Sequence, residues 1–146
     1  MIEGIIKSEL KVIDADEGSV MHFIKSGDDG FKKFGEVYFS TVKKNSIKAW
    51  KLHRRMTLNL VVPVGRVLFY FIDARKDSDT YKEIQSFVLS QDPYFRLTVP
   101  PMFWFGFKGL SEGLNLVSNQ ADLEHDPGEV ERRPVDAFEV EWEKNS

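Results

Sequence analysis

The side chain best placed to do chemistry is the histidine that ends the stretch Lys48-Ala-Trp-Lys-Leu-His53. An imidazole has an ordinary pKa of about 6.5, so it can take up a proton at neutral pH. If the stretch is a β-strand, Lys51 and His53 lie on one face, because side chains two residues apart point the same way. The two side chains would thus bring a proton acceptor and a cation to one surface.

The next segment offers a polar partner for this pair. Thr57 to Val64 alternates apolar and polar residues, so that Thr57 and Asn59 share a semi-polar face. If that face meets the face of Lys51 and His53, the four side chains Lys51, His53, Thr57 and Asn59 line one barrel interior.

Composition limits the classes of protein to which the chain can belong. Its 146 residues suit one domain spanning 1–146, and 42% apolar with 29% charged residues is typical of globular proteins. The net charge is −3, with 20 basic and 23 acidic residues intermixed, which argues against nucleic acid as a partner. The chain has no cysteine, signal peptide or membrane-length apolar run, so we expect a cytoplasmic protein that does not bind membranes.

Short apolar or alternating segments separated by turn residues predict an all-β fold, a sandwich or barrel. About ten strands are expected, and together they leave little room for helices. The predicted strands are Ile5 to Ile13, Val20 to Lys25, Phe34 to Val42, Ile47 to His53, Thr57 to Val64, Arg66 to Asp73, Glu83 to Ser90, Phe95 to Val99, Phe103 to Phe107, Leu114 to Ala121 and Phe138 to Trp142.

Two further expectations concern how these strands are connected. The turn at Pro63-Val-Gly65 predicts a hairpin between the strands on either side of it. The second arm, Val67 to Ile72, is apolar on both faces and must be covered on both sides. Only Asp28 to Phe34 and Asp77 to Ile84 look helical, each for a turn or two.

Several motifs in this order resemble those of the dTDP-4-dehydrorhamnose 3,5-epimerase family, and in particular its short members. The likeness runs from Gly18 to Trp142. The motifs are Lys48-Ala-Trp-Lys-Leu-His53, Met56-Thr-Leu-Asn59, Val64-Gly65, Asp73-Ala-Arg-Lys-Asp-Ser-Asp-Thr80, Pro100-Pro-Met-Phe-Trp-Phe-Gly-Phe107 and His125-Asp-Pro127.

The resemblance implies a cupin jelly roll, a homodimer, and epimerisation of a nucleotide-linked 4-keto-6-deoxy sugar in polysaccharide synthesis, without a cofactor. It assigns the catalytic base to His53. Other family positions differ here: the proton-donating tyrosine falls near Leu123, and no lysine stands between Thr57 and Asn59. The aspartate that orients the base lies in a segment absent from this chain, and an N-terminal arginine is replaced by Glu17.

Other residues can take over these tasks. The implied reaction removes a proton next to a ketone, and negative charge develops on the ketone oxygen. Lys51 supplies a positive charge for that oxygen and Asn59 a hydrogen bond, so His53, Lys51 and Asn59 are the expected catalytic group. Tyr38, Tyr70 or His125 is the acid, and the sequence does not choose among these three. The predicted substrate-binding residues also include cations for a diphosphate and one aromatic platform. They are Arg54, Arg55, Arg75, Lys82 and Trp104.

Some of these residues also fit a structural role or a different function. Arg54 and Arg55 also fit a solvated corner, and the acidic segment Asp122 to Glu143 fits an exposed surface. Lys51-Leu-His53 replaces the His-x-His pair of metal-binding cupins, which argues against a metal site. A metal-dependent dioxygenase is thus disfavoured, whereas a non-catalytic cupin that binds a sugar nucleotide is the main alternative to an epimerase.

Overall fold

The computed structural model describes residues 1–144, in which nearly all regular structure is β-strand. Short 3-10 helices occur at Pro127–Glu129 and Val135–Ala137. The strands are β1 Ile6–Glu9, β2 Val12–Ala15, β3 Gly18–Met21, β4 Glu36–Thr41, β5 Ile47–His53, β6 Leu58–Val64, β7 Val67–Asp73, β8 Ile84–Leu89, β9 Phe95–Val99, β10 Phe103–Gly109, β11 Leu116–Ala121 and β12 Val130–Arg132.

Ten of these strands form two antiparallel sheets of five. The first sheet has the order β1-β9-β6-β11-β4, and the second has the order β12-β5-β10-β7-β8. From β4 to β7 and from β9 to β12 the chain alternates between the sheets, as in a jelly roll. The remaining pair, β2 and β3, makes a separate hairpin. The predicted all-β cupin-type fold is confirmed.

The core lies between the sheets. Phe69, Phe71 and Phe105 of the second sheet pack in one cluster with Leu58 and Leu97 of the first. Each such buried side chain contributes roughly 1.5–3 kcal/mol to the free energy of unfolding. This core leaves the edges formed by β4, β5 and β12 free to hold polar residues.

The outer face of the second sheet is also covered. Its residues Leu68, Tyr70 and Ile72 are buried in a second cluster with the C-terminal residues Phe138 and Trp142. The prediction that the arm Val67 to Ile72 is covered on both sides is therefore confirmed.

The C-terminal cover is not a strand, so the prediction of a closing strand at Phe138 to Trp142 is wrong. This segment crosses the face of the second sheet, and its carbonyl groups bond to side chains of the sheet. Trp50 Nε1 donates to the Val135 carbonyl at 3.0 Å, and Tyr70 Oη donates to the Glu141 carbonyl at 2.9 Å. The strand that follows β11 is instead β12, which pairs with β5.

Three local predictions also fail. β6 and β7 belong to different sheets, so the tight turn at Gly65 crosses the sandwich and does not close a hairpin. Ile5 to Ile13 divides into β1 and β2, because the chain turns away from β9 after Glu9. The segments 28–34 and 77–84 form turns stabilised by side-chain bonds, with no helix in either. No helix within residues 1–144 has the length and apolar character needed to cross a membrane.

Candidate active site

His53 is paired with a buried carboxylate. The imidazole lies at the end of β5 with only 6% of its surface exposed, and its Nδ1–H donates to Glu129 Oε1. Glu129 is 1% exposed and ends the short helix Pro127–Glu129, which Asp126 caps. Its Oε2 accepts hydrogen bonds from the backbone N–H groups of Arg55 at 2.9 Å and Met56 at 3.0 Å. We call His53 and Glu129 the dyad.

The electrostatics of the dyad favour a neutral imidazole beside an ionised carboxylate. Burial lowers the pKa of His53, and this outweighs the opposing effect of Glu129, while the charges of Lys51 and Arg132 lower it further. Burial alone would raise the pKa of Glu129, but hydrogen bonds from His53 and from two backbone N–H groups hold it below its usual range.

The second ring nitrogen of His53 makes no hydrogen bond to residues 1–144. Nε2 is buried and has no hydrogen-bond partner within residues 1–144. The ring itself packs against Phe105 with the centroids 5.9 Å apart. Nδ1 carries the proton of the neutral imidazole and donates it as a hydrogen bond to Glu129. Nε2 therefore holds a lone pair, which is the arrangement that a general base requires.

A cavity of about 430 Å³ opens between the edges of the two sheets. Its floor is apolar, its first-sheet wall carries hydroxyl and amide groups, and its second-sheet wall is cationic. The residues that line it are Tyr38, Ser40, Lys48, Ala49, Trp50, Lys51, Leu58, Leu60, Phe69, Phe105, Phe107, Val117, Asn119, Arg132 and Arg133.

A smaller recess of about 170 Å³ brings His53 to this cavity. It shares Tyr38 and Lys51 with the larger space, so the two are adjacent. The recess is lined by Glu36, Tyr38, Lys51, His53, Met56, His125 and Val130. The predicted neighbours Lys51, Tyr38 and His125 are thus brought together with His53.

The cations of the cavity are not neutralised by the protein. Lys48, Lys51, Arg132 and Arg133 line it, and none forms an ion pair with a carboxylate of residues 1–144. Burial lowers the pKa of Lys51, and the charges of Arg132 and Lys48 lower it further. A space with several positive charges and no lining carboxylate favours an anionic ligand.

Strand β4 has its polar residues inside and its apolar residues outside. Glu36 and Tyr38 lie opposite Ala121 and Asn119 of β11, facing the space between the sheets. Val37 and Phe39 point outward, and Phe39 is 65% exposed. This inverted pattern indicates a binding surface on the inner side of the strand.

Asn59 does not lie beside His53. It belongs to β6 in the first sheet, where its side chain points away from the apolar face formed by Leu58 and Leu60. Its Oδ1 accepts from Thr98 Oγ1 at 2.6 Å, and its Nδ2 donates to the Gly30 carbonyl at 3.1 Å. The expected contact fails because β5 and β6 are in different sheets.

Two other predicted residues are used by the fold elsewhere. Arg75 binds the buried Asp73 and stacks over Phe103 at 4.7 Å, outside the cavity. Trp104 packs on the outer face of the second sheet, between Phe138 and the guanidinium of Arg133. Both predictions placed these residues in contact with substrate, and neither residue lines the cavity.

The remaining predicted residues lie at the surface or away from the site. Arg54 pairs with Glu131 and Arg55 pairs with Asp126, as the solvated-corner interpretation expects. Lys82 lies over the ring of Tyr81. The hydroxyl of Tyr70 donates to the Glu141 carbonyl on the outer face of the second sheet, away from the recess of His53.

Sequence reasoning missed several residues of the site. Glu129, Arg132 and Arg133 lie in the segment interpreted as exposed surface, and the proline and glycine before Glu129 were the only local signal of a cap. Lys48 reaches the cavity because one residue of β5 is unpaired near Gly106 of β10, which breaks the alternation of the strand.

Within residues 1–144 no cluster of three His, Asp or Glu side chains has an arrangement suited to holding a metal ion. His53 and His125 share the recess with Glu36, whose carboxylate accepts a hydrogen bond from the backbone N–H of His125 at 2.9 Å.

Comparison with known proteins agrees with this architecture. The family model described as dTDP-4-dehydrorhamnose 3,5-epimerase matches residues 2–146. The crystal structure of a dTDP sugar isomerase from Desulfovibrio desulfuricans is similar, with a TM-score of 0.93 and 38% identity, covering 98% of this chain and 93% of that one.

More distant relatives agree as well. The probable low-salt glycan biosynthesis epimerase Agl13 of Haloferax volcanii is 28% identical over 141 residues, which is 92% of this chain and 89% of the relative. A dTDP-4-dehydrorhamnose 3,5-epimerase from Sulfolobus tokodaii has the same fold at 22% identity and a TM-score of 0.84, covering 94% of this chain and 81% of that one.

Proposed function

Since the chain belongs to the dTDP-4-dehydrorhamnose 3,5-epimerase family and is an epimerase of nucleotide-linked sugars, we propose that His53 is its catalytic base. The observation that carries this proposal is the buried Nε2, which has no partner within residues 1–144. Glu129 accepts the Nδ1 proton, so it holds the tautomer in which Nε2 can attack a C–H bond. The epimerase interpretation is favoured over a non-catalytic sugar-nucleotide binder.

The substrate class that fits is a 4-keto-6-deoxy sugar attached to a nucleoside diphosphate. A ketone makes the neighbouring C–H acidic enough for an imidazole to remove its proton, with the electrons moving onto the ketone oxygen. Lys51 lies beside His53 on the cavity wall and stabilises that oxygen by its charge.

The other cations suit the diphosphate. Lys48 and Arg132 line the larger cavity, and the guanidinium of Arg132 can bind two phosphate oxygens at once. The apolar floor, which includes Phe69 and Phe107, suits the methyl group of a 6-deoxy sugar better than a hydroxymethyl group. We propose Lys48 and Arg132 in place of Arg54, Arg55, Arg75 and Lys82.

Solvent exchange tests the proposal. In heavy water, the wild-type protein is expected to place deuterium next to the ketone of dTDP-4-keto-6-deoxyglucose or a related keto sugar, as followed by mass spectrometry. His53→Asn is expected to lower the rate by about 10³-fold or more. His22→Asn is the matched control, because His22 lies outside the cavity. Equal uptake by wild type and His53→Asn would contradict the assignment of the base.

Binding is measured separately. Stabilisation by dTDP, read as a rise in Tm, is expected for wild type and for His53→Asn, because the nucleotide contacts lie on the cations. Lys48→Ala combined with Arg132→Ala is expected to lose most of that rise. Binding without turnover in the wild type would instead support the non-catalytic alternative.

The assembly we propose is a homodimer. Phe34, Val37 and Phe39 are exposed around the outer face of β4, and a second copy would cover such an apolar patch. Phe39→Asp is expected to shift the molar mass measured by light scattering from dimer to monomer. One domain and a cytoplasmic location stay predictions, the latter supported by the lack of cysteine.

A further inference from the structure

Tyr38 and Asn119 form a hydrogen-bonded pair on the sheet opposite His53. Asn119 lies on β11 with 3% of its surface exposed, and its Nδ2 donates to Tyr38 Oη at 3.0 Å. Tyr38 lies beside it on β4 and lines both the cavity and the recess that holds His53.

The orientation of the Asn119 amide follows from its other contact. The backbone N–H of Asn59 meets Asn119 Oδ1 at 3.1 Å. A backbone N–H can only donate, so the atom that it meets must be the amide oxygen, and the NH₂ group must face Tyr38. Because the Asn59 N–H fixes the orientation of the Asn119 amide, the Tyr38 oxygen must accept the hydrogen bond from Asn119 Nδ2.

The proton of the Tyr38 hydroxyl must then point elsewhere. Since Asn119 donates to Oη, the O–H bond cannot point at Asn119, and Tyr38 Oη donates no hydrogen bond to any group of residues 1–144. The open space on that side of the ring is the cavity. A hydroxyl held in this way presents its proton to a ligand between the sheets.

We propose that Tyr38 is the catalytic acid, the group that returns a proton to the sugar carbon on the face opposite His53, and that Asn119 positions it. This inference rests on the proposed epimerase function. It places the acid on β4, whereas the position matched to the family's tyrosine lies near Leu123, on the segment after β11.

The proton balance of the step closes without a co-reactant. The C–H bond next to the ketone breaks, its proton moves to His53 Nε2, and its electrons form an enolate whose oxygen Lys51 stabilises. The Tyr38 O–H bond then breaks, and its proton forms a new C–H bond on the opposite face. Solvent at the cavity mouth returns a proton to the phenolate and removes one from His53.

The electrostatics are consistent with this role. Burial raises the pKa of Tyr38 and outweighs the hydrogen bond from Asn119, which lowers it, while the charges of Glu36 and Glu129 raise it further. The hydroxyl therefore keeps its proton throughout the neutral range. His125 is the other candidate in the recess, but its side chain is exposed and only its backbone N–H is held, by Glu36.

Comparing two readouts separates the acid from the base. Tyr38→Phe is expected to keep solvent deuterium exchange next to the ketone, because His53 can remove and return the proton on one face. Inversion of that carbon, measured by NMR, is expected to fall by about 10²-fold or more. Tyr70→Phe is the matched control, because it removes a tyrosine hydroxyl that lies on the outer face of the second sheet, away from the cavity.

Asn119→Asp tests the positioning role with no change in shape. A carboxylate at this position accepts from both the Asn59 N–H and the Tyr38 hydroxyl, which turns the proton away from the cavity. The ratio of inversion to exchange is expected to fall at least tenfold while Tyr38 is intact. Asn119→Ser, which can still donate to Tyr38, keeps more of the inversion, and Tm values verify folding of each variant.

Several results would overturn the inference. Tyr38→Phe inverting at the wild-type rate would do so, as would parallel losses of exchange and inversion, which indicate a binding role only. His125→Asn that keeps exchange and loses inversion would assign the acid to His125. If wild type neither exchanges nor inverts any keto sugar, the proposed function itself fails, and that result is distinct from the others.

Discussion

Residues 1–144 contain two buried carboxylates with basic partners, Asp73 and Glu129, and they differ in how completely they and their partners are hydrogen-bonded. Asp73, at the end of β7, is 0% exposed, and both of its oxygens are bonded. Oδ1 accepts from Arg75, while Oδ2 accepts from Arg75 at 2.9 Å, Ser78 at 2.7 Å and Thr80 at 2.6 Å. We call these four residues the closed cluster.

In the dyad, the carboxylate is fully hydrogen-bonded but the imidazole is not. Glu129 uses both oxygens, as Asp73 does, but its partner His53 keeps one buried nitrogen without a partner in residues 1–144. A group left unbonded beside a cavity costs free energy of folding, about 1–3 kcal/mol, unless a ligand completes it. The difference indicates that the closed cluster stabilises the fold, whereas the dyad is available for chemistry.

The largest expected effect separates the two carboxylates by activity. Glu129→Gln is expected to slow exchange next to the ketone by about 10²–10³-fold, because the imidazole loses the anion that orients it and stabilises its protonated form. Deuterium uptake measures this rate. Glu131→Gln, two residues along and paired with Arg54 at the surface, is the control. Near wild-type exchange in Glu129→Gln would remove the distinction between the regions.

Asp73→Asn reverses the comparison. It is expected to lower the free energy of unfolding by about 2–4 kcal/mol, because an amide cannot accept all the bonds from Arg75, Ser78 and Thr80. Exchange activity per folded molecule is expected to stay at the wild-type level. Urea unfolding gives the first quantity and deuterium uptake the second. A loss of activity without a loss of stability would assign a catalytic role to the closed cluster.

The pH dependence of exchange reports the protonation state of His53 in the dyad. Neutral imidazole is the active form and its pKa is lowered, so activity is expected to fall only at pH values below about 6.5. Lys51→Met is expected to move this acid limb upward, since it removes a nearby positive charge. Rates measured across the pH range, with circular dichroism to verify folding, test both statements. A midpoint at or above the ordinary value in wild type would contradict them.

The free energy of unfolding also depends on the protonation of His53. Because the folded pKa of His53 is lowered, the unfolded chain takes up the proton first as pH falls. The free energy of unfolding is therefore expected to decrease as pH falls through the unfolded value of about 6.5. His53→Asn is expected to show a smaller decrease in that range, as measured by urea unfolding at each pH. An equal decrease in both proteins would show that other groups cause it.

The smallest effect is expected at the surface. Arg54→Ala removes an exposed pair with Glu131, which contributes no more than about 1 kcal/mol. Both dTDP binding and exchange are expected to be unchanged, in contrast to the double variant at Lys48 and Arg132. Thermal shift and deuterium uptake measure the two properties. A clear loss of dTDP binding would restore Arg54 as a diphosphate ligand.

The amino-acid sequence by itself determined the all-β class, the bounds of β5 and β9, and the pairing of Lys51 with His53 on one strand face. These features depend on local alternation and turn chemistry, which act over a few residues. The apolar arm of β7 also predicted its own double cover, because an unsatisfied apolar face is costly wherever it lies.

Only the tertiary structure decided which polar residues meet. Asn59 follows His53 by six residues but lies in the other sheet, while Glu129 follows it by 76 residues and bonds to its ring. Tyr38 likewise faces the dyad from across the sandwich. The physical reason is that alternation fixes a side chain's face within its own strand, whereas the order of strands in the sheets depends on packing of the whole core.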